Sequence, residues 1–430
     1  MHSPHASSFK RTAIILIGLL ALESAFMVQS AAAQQVVASV KVGTTPYGIA
    51  YDSGKGEIFV VNRDSNNVSV ISDSTNTVVA TVALPDYGYG AAYDPGKGEV
   101  WITLSGINTV ALISDTNNTI VATVKLAVGN GPEGIVYDPV KGEMFVTNFV
   151  SGTVTIISDT TDKVITRVPL PPGSGPFEAA YDSAKGEVFV ADGYATRNVS
   201  VISDTTNKVV ANIAVGNQPF GVAYDPAKGE VFVTDQADTN TSVISDSSNS
   251  VVATVQGVGF YDAVYDSAKG EIFVSDAGSP GMISVISDST NKVVDTVTVG
   301  NEPIGLAYDS AKGEVFSANS GDGTVSVISD ANTSATSTSA TSTSSAASSS
   351  SSTTLSSSSS SVSTSVGSLT TTQSSTSSSS SGSVPEFPYQ LTAVGLFVVF
   401  LTGAYLAIRS RRTASRPGAT SGNGSSLDRP

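Results

Sequence analysis

Residues 209–246 read VVANIAVGNQPFGVAYDPAKGEVFVTDQADTNTSVISD. Four short segments stand out: 209–215 (VVANIAV), 221–225 (GVAYD), 229–234 (GEVFVT) and 241–246 (TSVISD). Each is rich in β-branched residues and roughly alternating, the pattern of short strands. Turn signals separate them. In Asp225-Pro226-Ala227-Lys228-Gly229 the Asp opens a turn, the Pro presets φ and the Gly takes the left-handed position. Asp-x-x-Asn and Val-Gly-Asn-x-Pro punctuate the rest.

The unit recurs along the chain. Its Tyr-Asp doublet falls at Tyr51, Tyr93, Tyr137, Tyr181, Tyr224, Tyr265 and Tyr308, at spacings of 41 to 44. Its Ile-Ser-Asp string ends at Asp73, Asp115, Asp159, Asp204, Asp246, Asp288 and Asp330. Seven copies with a period near 43 mean a propeller or a solenoid. Four strands per copy fit one propeller blade, so the expected fold is all-β, a seven-bladed β-propeller of four-stranded antiparallel blades over residues 34–330. The ends decide for closure. The last copy stops after Asp330 without a VVATV strand, and the array begins with that strand, residues 36–42 (VVASVKV). The N-terminal strand is therefore expected to complete the last blade and remove an open edge. A solenoid would carry distinct caps instead.

With Phe145-Val146-Thr147-Asn148 and its variants in place, the repeat PxGxAYDPxKGEVFVTNxxSxTVSVISDxTNxVVATVxVG resembles the YVTN β-propeller repeat of bacterial and archaeal surface proteins. The resemblance spans all seven copies. It implies a propeller displayed on a cell surface or in a surface layer, and implies no single activity, because propellers host many functions.

The flanks place the array. Residues 1–33 read as a signal peptide: Lys10 and Arg11, an apolar run from Ala13 to Leu22, then Ala31-Ala32-Ala33 before the cut. An uncleaved anchor is the competing reading. Residues 331–383 hold 40 Ser or Thr in 53 positions and no charge, a composition that cannot bury a core and reads as a disordered, O-glycosylated stalk. A plain linker without sugars is its rival. Residues 391–408 are 18 uncharged, mostly apolar residues followed by Arg409, Arg411 and Arg412, which reads as one transmembrane helix with a cytoplasmic tail, 413–430. Pro385-Glu386-Phe387-Pro388 opens this 384–412 region, which resembles an archaeal PEF-type sorting signal. That resemblance implies a membrane transpeptidase as a partner. The long tail departs from such signals and leaves simple anchoring by the span as the alternative.

Composition excludes several chemistries. There is no Cys, and both histidines, His2 and His5, lie in the leader. Thiolate nucleophiles, zinc–thiolate sites and, after cleavage, histidine catalysis are absent. Between residues 34 and 383 there are 15 basic and 34 acidic residues, a net of −19. Such a body repels nucleic acid and suits a soluble exterior, cationic ligands or divalent ions.

Candidate binding residues come from positions where the copies differ. Four residues before each repeat Tyr, near the expected channel mouth, stand Tyr47, Tyr89, Glu133, Phe177, Phe220, Tyr261 and Ile304. Five aromatics in a ring of seven suit sugar faces or a cationic ligand. The next position is Gly in five copies and a carboxylate in two, Glu178 and Asp262. With Glu133 these are expected to converge and to hold a divalent cation, Ca2+, or a sugar hydroxyl. The competing reading is packing for the rings and a solvated rim for the carboxylates. Asp235, Asp238 and Asn240, and Asn319 and Asp322, are oxygen-rich loops that also read as ordinary turns. Sequons at Asn67, Asn117, Asn198, Asn240 and Asn332 are candidate glycosylation sites.

These features point to a membrane-anchored, non-catalytic adhesion or surface-layer module. Its partners would be envelope glycans or surface proteins. A purely structural coat and a carbohydrate hydrolase using the three carboxylates are the alternatives.

Overall fold

A computed structural model describes residues 34–126 and 131–330. The segments read above as leader, stalk, sorting motif, membrane span and tail, together with Asn332, lie outside the described residues. Among the described residues no helix is long and apolar enough to cross a membrane.

The described residues form seven four-stranded antiparallel sheets, each built from strands consecutive in sequence except the last. Blade 3 is representative. Its strands are β10 (Pro132–Asp138), β11 (Glu143–Asn148), β12 (Thr153–Ser158) and β13 (Lys163–Pro169), from the channel outward. The two middle strands are buried nearly throughout, and the outer one is largely exposed, with Val168 its one buried residue. That gradient is why the inner and middle segments read as apolar runs and the VVATV segment as an amphipathic one.

The seventh sheet pairs β1 (Gln35–Lys41) with β28 (Thr324–Ser329) in antiparallel register, Val40 opposite Val325 and Lys41 opposite Thr324. The ring closes as expected. Gln34 extends the clasp to blade 6: its backbone N–H donates to Asp295 at 3.0 Å and its side-chain amide to Glu271 at 2.6 Å.

The core lies between blades. Each second strand places one aromatic, Phe59, Trp101, Phe145, Phe189, Phe232, Phe273 or Phe316, in full burial. Trp101 of blade 2, for example, packs with Met144 and Val146 of blade 3. Every outer strand carries a bulge at its third residue, in blade 1 between Val78 and Ala80, so that Val79 is skipped by the ladder. The skipped residues, Val37, Val79, Val121, Ile165, Val210, Val252 and Val294, are 46 to 54% exposed. A bulged edge is a poor template for another strand, which blunts the seven edges that the ring leaves open.

The repeated polar residues join neighbouring blades at the turn face. The doublet Asp is fully buried and caps its own turn: Asp138 Oδ1 accepts from Val140 and Lys141 backbone N–H groups at 2.8 and 3.2 Å. The doublet Tyr lies between two carboxylates. The Tyr137 hydroxyl donates to Asp159 of its own blade at 2.9 Å and stands against Asp94 of the preceding one. The Lys of Lys-Gly-Glu reaches forward one blade, as Lys141 does to Asp204. The Gly between them has φ near +66° and abuts a carboxylate, here Asp159 against Gly142, so no side chain fits there.

Candidate functional site

The channel mouth is built where the inner strands leave their ladders. In blade 3 pairing jumps from Pro132–Asn148 to Ile135–Val146, and the extra residue frees Glu133 and Gly134. The same irregularity frees Tyr47, Tyr89, Phe177, Phe220 and Ile304, while in blade 6 the inner strand starts only at Ala263, after Tyr261 and Asp262. Bulges of this kind re-aim side chains.

The recurrent Gly has a specific cause. A Cβ on Gly48, Gly90, Gly134, Gly221 or Gly305 would lie 2.0 to 2.4 Å from the mouth carbonyl oxygen of the next blade. Four blades reinforce this approach with a hydroxyl. Thr147 Oγ1 accepts from the Gly134 N–H at 2.8 Å and donates to the Phe177 carbonyl at 2.5 Å. Thr103, Thr234 and Ser275 make the same bridge to Glu133, Tyr261 and Ile304.

The structure brings the predicted ring together. Tyr47 and Tyr89 meet edge-to-face at 5.2 Å, Phe177 and Phe220 stack at 4.4 Å, and Phe220 meets Tyr261 at 5.4 Å. Glu133 and Ile304 fill the two breaks in this arc. Tyr89, Phe220, Glu133 and Ile304 are buried, so the first ring packs largely upon itself. A second aromatic tier stands against it, which sequence reasoning missed: Tyr87, Phe149, Tyr194 and Phe260. Tyr194 is 53% exposed. Arg63 lies 4.9 Å from the Tyr89 ring centre and 5.9 Å from that of Tyr87. The signal was available for Tyr87 and Phe149, whose counterparts in the other copies are small or polar; Phe260 stands where five copies have Pro, and Tyr194 has Val150 among its counterparts.

The carboxylates depart from expectation. Among the described residues no three acidic side chains come close enough to hold a metal ion. Nor are Glu133, Glu178 and Asp262 a solvated rim. Burial pushes Glu133 up to about 8, against the opposing pull of Arg63. Burial, then the charges of Asp262 and Glu133, push Glu178 up to about 8. Burial pushes Asp262 to about 6, with two backbone N–H groups working the other way. Those donors are Ala263, at 2.8 Å, and Leu306 of the next blade, at 2.9 Å, so Asp262 pins two inner strands together. The cavity that Tyr47, Glu178, Asp262 and Ile304 help to line holds only about 40 Å³, room for a water and not for a sugar ring.

The oxygen-rich loops take the turn reading. Asp238 accepts from the backbone and side-chain N–H groups of Asn217 at 2.8 and 2.7 Å, and Asp322 repeats this with Asn301. Asp235 accepts from Ser242, and Asn319 donates to Thr324 and Ser326. Of the described sequons, Asn117 is exposed in a hairpin turn, while Asn67, Asn198 and Asn240 begin strands and are half-buried.

No protein-family model and no curated protein matches the sequence. Among solved structures the chain is similar to hydrazine synthase of Kuenenia stuttgartiensis, at 16% identity and a TM-score of 0.60, covering 67% of this chain and 97% of that one. At that identity the likeness shows the fold alone, and the fold is a seven-bladed β-propeller.

Proposed function

We propose that this chain is a non-catalytic binding module displayed at the cell surface. In this reading the mouth face holds a carbohydrate against the aromatic tier of Tyr87, Phe149, Tyr194 and Phe260. The leader, the Ser/Thr stalk and the apolar span of residues 391–408 would put the propeller outside the membrane. One observation carries the reading: aromatic side chains accumulate on the mouth face, where the repeats diverge, and the most exposed of them, Tyr194, packs edge-on against Phe149. Aromatic faces stack on the C–H faces of sugars, and their edges leave Tyr hydroxyls for sugar oxygens.

The 40 Å³ cavity argues against glycoside hydrolysis between the channel carboxylates, because a scissile bond must fit between the acid and its partner. Self-packing of the first ring favours a second reading, a structural coat component with no soluble ligand. Saturation-transfer NMR on the purified full chain separates the two. Neutral hexose and N-acetylhexosamine oligosaccharides should show transfer to sugar protons, lost in Phe149→Ala/Tyr194→Ala. Absence of transfer in the parent protein would leave the structural reading.

A further inference from the structure

Blade 7 is completed without a hairpin, and the break changes where one backbone N–H goes. Gln34 stands where the other blades have a left-handed turn residue, Asn76, Asn118, Asp162, Asn207, Asn249 or Asn291. At Asn76, Asn118, Asp162, Asn207 and Asn291 the backbone N–H donates to the Ser carbonyl that opens the same hairpin, at 2.8 to 2.9 Å. In blade 7 the third and outer strands come from opposite ends of the array, so no hairpin supplies that carbonyl. The Gln34 N–H crosses instead to Asp295 Oδ2 in the outer strand of blade 6.

Blade 6 departs from the repeat at the point where this N–H arrives. The fourth residue of the outer strand is Ala38, Ala80, Ala122, Ala211 or Ala253 in five blades and Thr166 in blade 3; Asp295 alone is charged. Its Oδ1 accepts from the Thr296 N–H at 2.8 Å, which leaves Oδ2 for Gln34 at 3.0 Å. Glu271, the Glu of Lys-Gly-Glu, accepts from the Gln34 side-chain amide at 2.6 Å. In the other six blades the same Glu keeps a buried oxygen with no hydrogen-bond partner among the described residues. The charges of Asp266 and Asp295 bear on Glu271, and that of Glu271 on Asp330, with Lys269 opposing them. A peptide N–H satisfies one oxygen here and brings no charge.

We infer that Asp295 and Glu271 form a receptor for the chain's own mature N-terminus: cutting the Ala33–Gln34 bond turns the Gln34 N–H into an ammonium that pairs with Asp295 and locks the closing strand to blade 6. The inference rests on the leader of the proposed function being removed after Ala33. Hydrolysis adds one water to that bond, leaving a carboxylate on Ala33 and an amine on Gln34, which takes up a proton at neutral pH. The existing hydrogen bond then becomes charge-assisted and stronger. The closing strand β1 is held along its length by β28 and at its start by blade 6, so processing completes the closure of the ring. The same contacts protect the terminus. A terminal Gln cyclises when its amine attacks the side-chain amide carbon and ammonia leaves. With the amine on Asp295 and the amide on Glu271, both groups that must meet are held by blade 6.

Two measurements on the full chain, exported by its own leader and purified, test the inference. N-terminal mass spectrometry should find Gln34 first, with its amine intact. Calorimetry then compares this chain with one that retains Ala33, each with and without Asp295→Asn. In the chain that starts at Gln34, Asp295→Asn should lower the melting temperature by about 2 °C. In the chain that starts at Ala33 the same substitution should do about half as much or less, because the charge has moved one residue outward and the two groups no longer couple. Asp295→Ala, which installs the residue of five other blades, gives the same comparison if the Asn variant folds poorly. A chain that begins anywhere but Gln34 would overturn the inference together with the leader reading. A Gln34 that has lost ammonia, or an equal effect of Asp295→Asn in both chains, would overturn the inference and leave the leader reading standing.

Discussion

On the turn face, Asp52, Asp94, Asp138, Asp182, Asp225, Asp266 and Asp309 are all fully buried. Each accepts two backbone N–H groups of its own turn. On the mouth face, the ring of equivalent positions reads Tyr47, Tyr89, Glu133, Phe177, Phe220, Tyr261 and Ile304, with no residue type in more than three copies. The two faces are ends of the same strands. The difference teaches that interactions needed to hold blade to blade recur seven times. A surface free of that requirement diverges copy by copy, and the proposed binding belongs there.

The largest effect should follow from opening the ring. Deleting residues 35–41 strips β28 of its partner and exposes an unbulged edge. The melting temperature should fall by roughly 10 °C or more, with a broadened transition in calorimetry. An unchanged transition would detach closure from stability.

Next come the repeated positions. Asp182→Ala leaves the Ala184 and Lys185 amides without their acceptor and removes the carboxylate facing Tyr224. Urea unfolding should show a loss of about 2–4 kcal/mol, typical of a broken buried network. Gly134→Ala should cost about 1–3 kcal/mol, because its methyl would sit 2.3 Å from the Phe177 carbonyl oxygen. A neutral result there would mean that the blade approach is softer than it looks.

A smaller effect comes from the channel carboxyls, and it has a sign. Glu133 and Glu178 have pKa values raised to about 8 in the fold, above the ordinary carboxyl range of the unfolded chain. The folded protein therefore binds more protons than the unfolded one between these limits. The stability these groups contribute is present at acid pH and is lost as pH rises toward 8. Glu178→Gln should flatten the decline between pH 5 and 8 and raise the melting temperature at pH 8 by a few degrees. A parallel curve displaced at all pH values would refute the buried-carboxyl account. The smallest stability effect, under about 1 kcal/mol, is expected for Lys141→Met, because its ion pair with Asp204 is partly solvated.

The sequence carried the ring almost whole. Period, turn chemistry and the permuted terminal strand set blade number and closure, because each is a local signal repeated seven times. The meaning of Gly48 and its counterparts was not legible, since it depends on a carbonyl of the neighbouring blade. The same limit applies to the carboxylates. Their adjacent positions before the doublet Tyr suggested convergence on an ion, whereas Asp262 turns to Leu306 and Glu178 faces a cavity too small for a ligand. Tyr194 and Phe149 lie in loops after the second strand, outside the strand periodicity that marks the inner-strand ring.

The central claim is that repeated positions hold the ring and exceptional mouth positions bind. It is tested most directly by measuring the melting temperature and oligosaccharide binding together in Asp182→Ala and Tyr194→Ala. The account predicts a crossed result. Tyr194→Ala keeps the parent melting temperature and loses binding. Asp182→Ala melts several degrees lower and, when folded at low temperature, still binds. Parent-level binding in Tyr194→Ala, or a loss of stability as large as that of Asp182→Ala, would contradict it.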